Sequence, residues 1–173
     1  MKKLFLSKIV VLLLFLFFAF LQLTKNSRSL TDGERRELQS IFFDQVDYSK
    51  IEILETSLPP SMAAFVIGNH IIFRKEYYVD DFSKNYLRMA RMVHEVGHIW
   101  ANQKKGVHTS LIAMLEHLQK GDQVYAIDDI DRHKRLSDLD YEQQGRLLSD
   151  YYKLRYLGLN TSIHESMINK TFR

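Results

Sequence analysis

Hydrophobic positions are spread unevenly along the chain. Ile9 to Phe20 form an unbroken apolar run that fades through Leu21, Gln22 and Leu23, and Lys2, Lys3 and Lys8 precede it. A run with no polar face predicts an N-terminal apolar helix of the targeting kind rather than a core helix. It falls short of the roughly 20 residues that span a bilayer comfortably. Counting from Leu4, with Lys8 snorkelling, extends it far enough to cross. Bulky residues follow Ala19 as far as Leu23, so no small-x-small cleavage site is present. Residues 1–23 therefore read as a signal anchor in preference to a cleaved signal peptide. The leading lysines favour a membrane-anchored domain outside the cytoplasm, on the periplasmic or extracellular face, or a secreted one if the segment is cleaved.

Residues 24–30 read as a polar linker and 31–173 as a single domain. Thr31-Asp32-Gly33-Glu34 has capping-box spacing and opens a helix that buries Leu38, Ile41 and Phe42. Ile51 and Ile53 mark a first strand, which Pro59 and Pro60 end. Phe65 to Ile67 and His70 to Phe73, separated by Gly68-Asn69, predict a hairpin with a two-residue turn. Helices are expected over Ser83–Lys105, Thr109–Lys120 and from Asp140 to Gly158, with one short helix near Ser162. Asp122 to Asp138 lacks periodicity and reads as a long loop, a common place for function. The fold class is α+β, a small antiparallel sheet packed beside helices.

Composition changes this picture little, with 46% hydrophobic and 26% charged residues. Charge changes it more. The net charge is +3, from 24 basic and 21 acidic residues. Five of the basic residues (Lys2, Lys3, Lys8, Lys25 and Arg28) precede residue 29, leaving 19 against 21 in the rest of the chain. A mildly acidic domain without a basic stripe argues against a nucleic-acid partner. The absence of cysteine excludes disulfides and thiolate metal sites.

The candidate chemistry sits in His94-Glu95-Val96-Gly97-His98, an HExxH motif. On a helix, positions i and i+4 share a face, so both imidazoles can reach one Zn²⁺. Glu95 lies at the edge of that face, where it can act as general base and then general acid on water activated by the metal. Val93, Val96, Ile99 and Trp100 give the motif the apolar setting of a buried helix. Gly97 costs about 1 kcal/mol against alanine in a helix, which suggests close approach by another element.

Catalytic zinc takes three protein ligands and leaves a position for water. The metzincin extension is absent, since Ala101 and Lys104 stand where its glycine and third histidine would be. The third ligand is therefore open among His108, Glu116, His117, His133, Glu142 and Glu165. Glu116 and His117 belong to the directly following helix and are too close in sequence. Glu142 is best placed, in the first turn of a separate predicted helix, with the small residues Gly145 and Ser149 on its face. A solvated glutamate favoured by the helix dipole would look the same. Asp150 is a candidate to orient a ligand histidine, Tyr125 or His133 to stabilise an oxyanion, and the His70–Phe73 strand to offer its edge to an extended peptide.

The segments Leu30–Glu34, Asp47–Lys50, Gly68–Phe73, Val93–Trp100 and Tyr141-Glu142-Gln143-Gln144-Gly145 occur in the order seen in a known group. The chain resembles small bacterial zincin-like proteins labelled as Rhs- or Vgr-related proteins of secretion systems, over roughly Leu30 to Gly158. The resemblance implies a zincin fold with Glu142 as third ligand and a possible secretion-system partner. Gly145 replaces the alanine usual after the two glutamines, and Ala101-Asn102 replaces a commoner glutamine after the tryptophan.

The expectation is a zinc-dependent hydrolase, a metallopeptidase acting on a peptide or protein substrate. His94, His98 and Glu142 would hold Zn²⁺, and Glu95 would be the catalytic base. The alternative is a zinc-stabilised, non-catalytic interaction domain associated with a secretion apparatus. An intact Glu95 speaks for turnover.

Overall fold

The computed structural model describes residues 27–57, 62–106, 109, 112–113, 121–127 and 133–173. The apolar segment expected over 1–23 lies outside these residues, as does most of the helix expected over Thr109–Lys120.

The chain enters through a short strand, β1 (Arg28–Ser29), and a helix, α1 (Asp32–Phe42). The capping box forms as its spacing predicts: the Glu34 N–H donates to Thr31 Oγ1 at 3.1 Å and the Thr31 N–H to Glu34 Oε2 at 2.8 Å. Glu34 is also fully buried. Its carboxylate accepts two N–H bonds from Arg28, at 2.8 and 2.9 Å, and one from the Phe82 backbone at 2.9 Å. One acidic side chain thereby joins the first strand, the first helix and the 3₁₀ turn Phe82–Lys84.

Three more strands follow: β2 (Glu52–Thr56), β3 (Ala64–Ile67) and β4 (His70–Arg74). The β3–β4 hairpin turns through Gly68-Asn69, with Gly68 at φ 60°, a conformation that suits glycine. The sheet departs from the expected antiparallel form. Its order is β1-β2-β4-β3, and β2 pairs with β4 in parallel, Ile53 beside Ile71 and Leu54 beside Ile72. The reason is topological. β4 returns between β2 and β3, so the chain reverses twice before pairing and the sheet is mixed. Both edges of β4 are occupied, so His70–Phe73 offers no edge to a peptide; the outer strand beside it is β3.

Ile51, Ile53, Ile71 and Phe73 point into the main core, where they meet Met89, Met92, Val93 and Val96 of the long helix α2 (Tyr86–Lys105). This helix begins later than its periodicity predicts because Asn85 caps it, accepting from the N–H groups of Leu87 and Arg88, both at 3.1 Å. Gly106, at φ 104°, ends it. The buried Asn102 donates to the Gly68 carbonyl at 2.9 Å and Gln103 to Asn69 Oδ1 at 2.8 Å, tying the end of α2 to the hairpin turn. The asparagine that departs from the resembled pattern thus has a structural task here.

Helix α3 (Tyr141–Tyr156) packs along α2, and α4 (Ser162–Phe172) closes the core from the other side. α4 is the short helix expected near Ser162, 11 residues long. Phe172 sets its ring 5.0 Å from Trp100 and 5.9 Å from Phe42, linking α4 to α2 and α1 through aromatic contacts. The expected long loop contains two 3₁₀ turns, Gly121–Tyr125 and Leu136–Asp138. Among the described residues the protein is α+β, a small mixed sheet with four α-helices, and no helix is long and apolar enough to cross a membrane.

Candidate metal centre

The site arises where α2 and α3 come into close contact. Two glycines permit the approach. A Cβ on Gly97 would lie 3.1 Å from Leu148 Cδ1 and 3.4 Å from the Gly145 Cα. On the opposite helix, a Cβ on Gly145 would lie 2.8 Å from the His94 ring. The lack of side chains at these two positions sets the depth of contact and brings the first turn of α3 up to the HExxH face.

His94, His98 and Glu142 meet there, their ligand atoms all within 4.8 Å of one another. His94 Nε2 is 3.2 Å from His98 Nε2 and 3.2 Å from Glu142 Oε2, and His98 Nε2 is 3.6 Å from Glu142 Oε1. A tetrahedral cation bound at about 2.0–2.1 Å holds its ligand atoms about 3.3 Å apart. The two separations from His94 match that spacing, and His98 lies slightly farther from the other carboxylate oxygen. Two imidazole Nε2 atoms and a carboxylate gathered this closely form a donor set suited to a divalent cation, and the residues fit the metal that the motif implies.

Burial sharpens the electrostatics. Glu95, His98 and Glu142 are each 7% exposed. Burial works to raise the Glu142 carboxyl, but hydrogen bonding and charge from His94 and His98 outweigh it and hold the group well below the usual carboxylate range. Burial pushes the Glu95 carboxyl up, against the pull of His94, His98 and Arg91 and with help from the Glu142 charge. Two neighbouring carboxyls are thus driven apart, one a persistent anion and the other more ready to hold a proton.

The other candidates divide. Tyr125 comes to the site, its ring 5.9 Å from that of His94. Glu165 is exposed and accepts from Thr161 Oγ1 at 2.8 Å, and exposed His133 lies outside the cluster. His108, Glu116 and His117 lie outside the described residues. Asp150 does not orient a ligand histidine; it pairs with Arg146 and Lys153, each at 2.5 Å. One participant was missed. Gln143 accepts from the Asp140 N–H at 3.1 Å, closing a capping box, and donates to the Ala126 carbonyl at 2.7 Å. The Asp140-x-x-Gln143 spacing signals the cap, but nothing in the sequence announces the bond to Ala126.

No family model matches the chain. The type VI secretion system spike protein VgrG2b of Pseudomonas aeruginosa is 31% identical over 133 residues. That match covers 72% of this chain but 13% of VgrG2b, so the chain spans a small part of that relative's length. The solved effector domain of Pseudomonas aeruginosa VgrG2b superposes with a TM-score of 0.64 at 26% identity, covering 86% of this chain and 83% of that one. The resemblance to Vgr-related proteins of secretion systems is thereby borne out at the level of an effector domain. The relatives' names mention neither zinc nor hydrolysis.

The comparisons also correct the expected localisation. The N-terminal run suggested a membrane-anchored domain. The similar proteins are instead a secretion spike protein and its effector domain, and no described helix is long and apolar enough to cross a membrane.

Proposed function

We propose that the chain carries an effector domain associated with a type VI secretion system, that it binds one zinc ion through His94, His98 and Glu142, and that it hydrolyses peptide bonds with Glu95 as general base. The observation behind this reading is the cluster of His94, His98 and Glu142, with ligand atoms all within 4.8 Å of one another, and a buried Glu95 close enough to interact electrostatically with all three. Two imidazoles and a carboxylate suit several divalent cations, and the HExxH spacing on one helix is what points to zinc, with a coordination position left for water. Zinc held there supplies Lewis acidity, which acidifies water and polarises a carbonyl. Glu95 then takes a proton from the attacking water and returns it to the departing amine. The α2–α3 contact keeps the ligands in register, and the Tyr125 ring lies tilted beside His94, centroids 5.9 Å apart.

The alternative is a metal-stabilised interaction domain of the secretion apparatus, without turnover; what favours it is the similarity to a secretion spike protein. VgrG2b is by name a spike component, and a spike assembly is built from domains that bind one another. Glu95 separates the two, because a purely structural metal site has no use for a buried base beside its ligands.

Elemental analysis of the purified chain followed by peptide-library cleavage tests the proposal. One zinc per chain and cleavage abolished by Glu95→Gln, with zinc retained, are the expected results. Undiminished cleavage by Glu95→Gln would refute the mechanism. Zinc without any cleavage across broad libraries would favour the interaction domain.

A further inference from the structure

Glu142 and Tyr125 reach His94 from different elements, and Gln143 connects those elements. Gln143 follows Glu142 in the first turn of α3. Its Oε1 accepts from the Asp140 N–H at 3.1 Å, so it is part of the helix's own cap. Its Nε2 donates to the Ala126 carbonyl at 2.7 Å. Ala126 directly follows the 3₁₀ turn Gly121–Tyr125, and its own N–H bonds the Gln123 carbonyl at 3.0 Å. Val124, 2% exposed, plugs the turn into the protein, and Tyr125 beside it lies 5.9 Å from the His94 ring.

We propose that Gln143 is a positioning residue that fastens the Gly121–Tyr125 turn to the first turn of α3, so that the segment delivering Glu142 also sets Tyr125 against His94. The proposal rests on the metal-site reading above and extends it to the surroundings of one ligand. Groups that hold a metal ligand in its orientation are worth about 10–100-fold in metal affinity. Val124 is buried, but Gly121, Gln123 and Ala126 around it are exposed, which favours local opening. Two bonds from one amide remove that freedom: the carbonyl oxygen keeps the helix start in place and the NH₂ group holds the turn.

The two halves of the amide can be separated. Gln143→Glu keeps an acceptor for Asp140 N–H, so the capping box survives, but its carboxylate cannot donate to the Ala126 carbonyl. In the full chain, amide hydrogen exchange over residues 121–127 is expected to rise roughly three- to tenfold, the share of one net hydrogen bond, with α3 amides unchanged. Co²⁺, used as a spectroscopic probe, is expected to bind about tenfold more weakly and with an altered visible spectrum. The added negative charge would by itself strengthen cation binding, so a fall has the opposite sign to the charge effect. Tyr125→Leu is expected to reproduce the cobalt change while leaving exchange at Ala126 and Ile127 as in the unaltered chain.

Unchanged exchange over 121–127 in Gln143→Glu would overturn the fastening. Raised exchange with an unaltered cobalt spectrum and affinity would overturn the positioning role. An unaltered chain that takes up no cobalt would count against the metal-site reading, and the exchange comparison would still decide whether Gln143 fastens the turn.

Discussion

Gly145 abuts the His94 imidazole so closely that a Cβ added to it would stand 2.8 Å from both Cε1 and Nδ1 of the ring. The residue therefore sets how near the helix bearing Glu142 can come to the HExxH helix. Alanine is usual at this position in the proteins the sequence resembles, so Gly145→Ala is expected to fold and still bind metal. Its methyl group has to displace the ring or the helix by a few tenths of an ångström. Helix propensity favours the substitution by about 1 kcal/mol, yet metal affinity should fall about tenfold. Thermal stability of the metal-free protein and a chelator-competition titration read these two effects separately. Affinity equal to that of the unaltered chain would show that the contact is slack.

The ligand assignment makes a sharper demand. His98→Ala and Glu142→Ala each remove one of three converging ligand atoms, and stoichiometric zinc should be lost in both. Glu165→Ala and His133→Ala alter exposed residues outside the cluster and should leave zinc content near one per chain. Zinc analysis after gel filtration reads all four variants. Full retention by Glu142→Ala would move the third ligand elsewhere and leave the HExxH pair standing.

Glu34 carries a prediction about stability. Replacing it with alanine leaves the Arg28 guanidinium and the N–H groups of Thr31 and Phe82 without their shared acceptor. Breaking a buried pair in this way costs about 3–5 kcal/mol, whereas Glu34→Gln keeps part of the hydrogen bonding and should cost less. Urea unfolding orders the three proteins. A Glu34→Ala loss below about 1 kcal/mol, the range of surface pairs, would mean that the network contributes specificity rather than stability.

These residues also show what was legible beforehand. His94, Glu95 and His98 were readable because the i, i+4 relation is a property of one helix and needs no tertiary information. The Thr31 cap and the Gly68-Asn69 turn were readable for the same reason. Glu142 was readable only as the best of several candidates, with the resemblance favouring it, since joining two helices requires knowing which faces meet. The parallel pairing of β2 with β4 was hidden because alternation reports which side of a strand is buried and not which strand lies beside it. The turn before Ala126 was hidden for another reason. Gln143 and the buried Val124 help to hold it, and neither leaves a periodic trace.

His164 yields the pH prediction. It sits on α4, 9% exposed. Burial lowers its affinity for a proton below the ordinary histidine value of 6.5, and the nearby Asp150 charge partly opposes that shift. In the unfolded chain the ring is free to take a proton near its ordinary value. Between pH 7 and pH 5 the unfolded state therefore binds more protons at this site than the folded one, and stability rises with pH across that window. The contribution is complete above about pH 6.5 and is lost as pH falls through the lower folded value. His94 and His98 are histidines too, so the comparison has to isolate one ring. Urea midpoints of the unaltered chain and of His164→Gln, measured in chelator at pH 7.5, 6.0 and 5.0, do this because the metal-site histidines are common to both. The glutamine variant should lose less stability between pH 7.5 and 5.0 than the unaltered chain. Parallel pH profiles for the two proteins would mean that Asp150 cancels the effect of burial and that His164 is silent in folding.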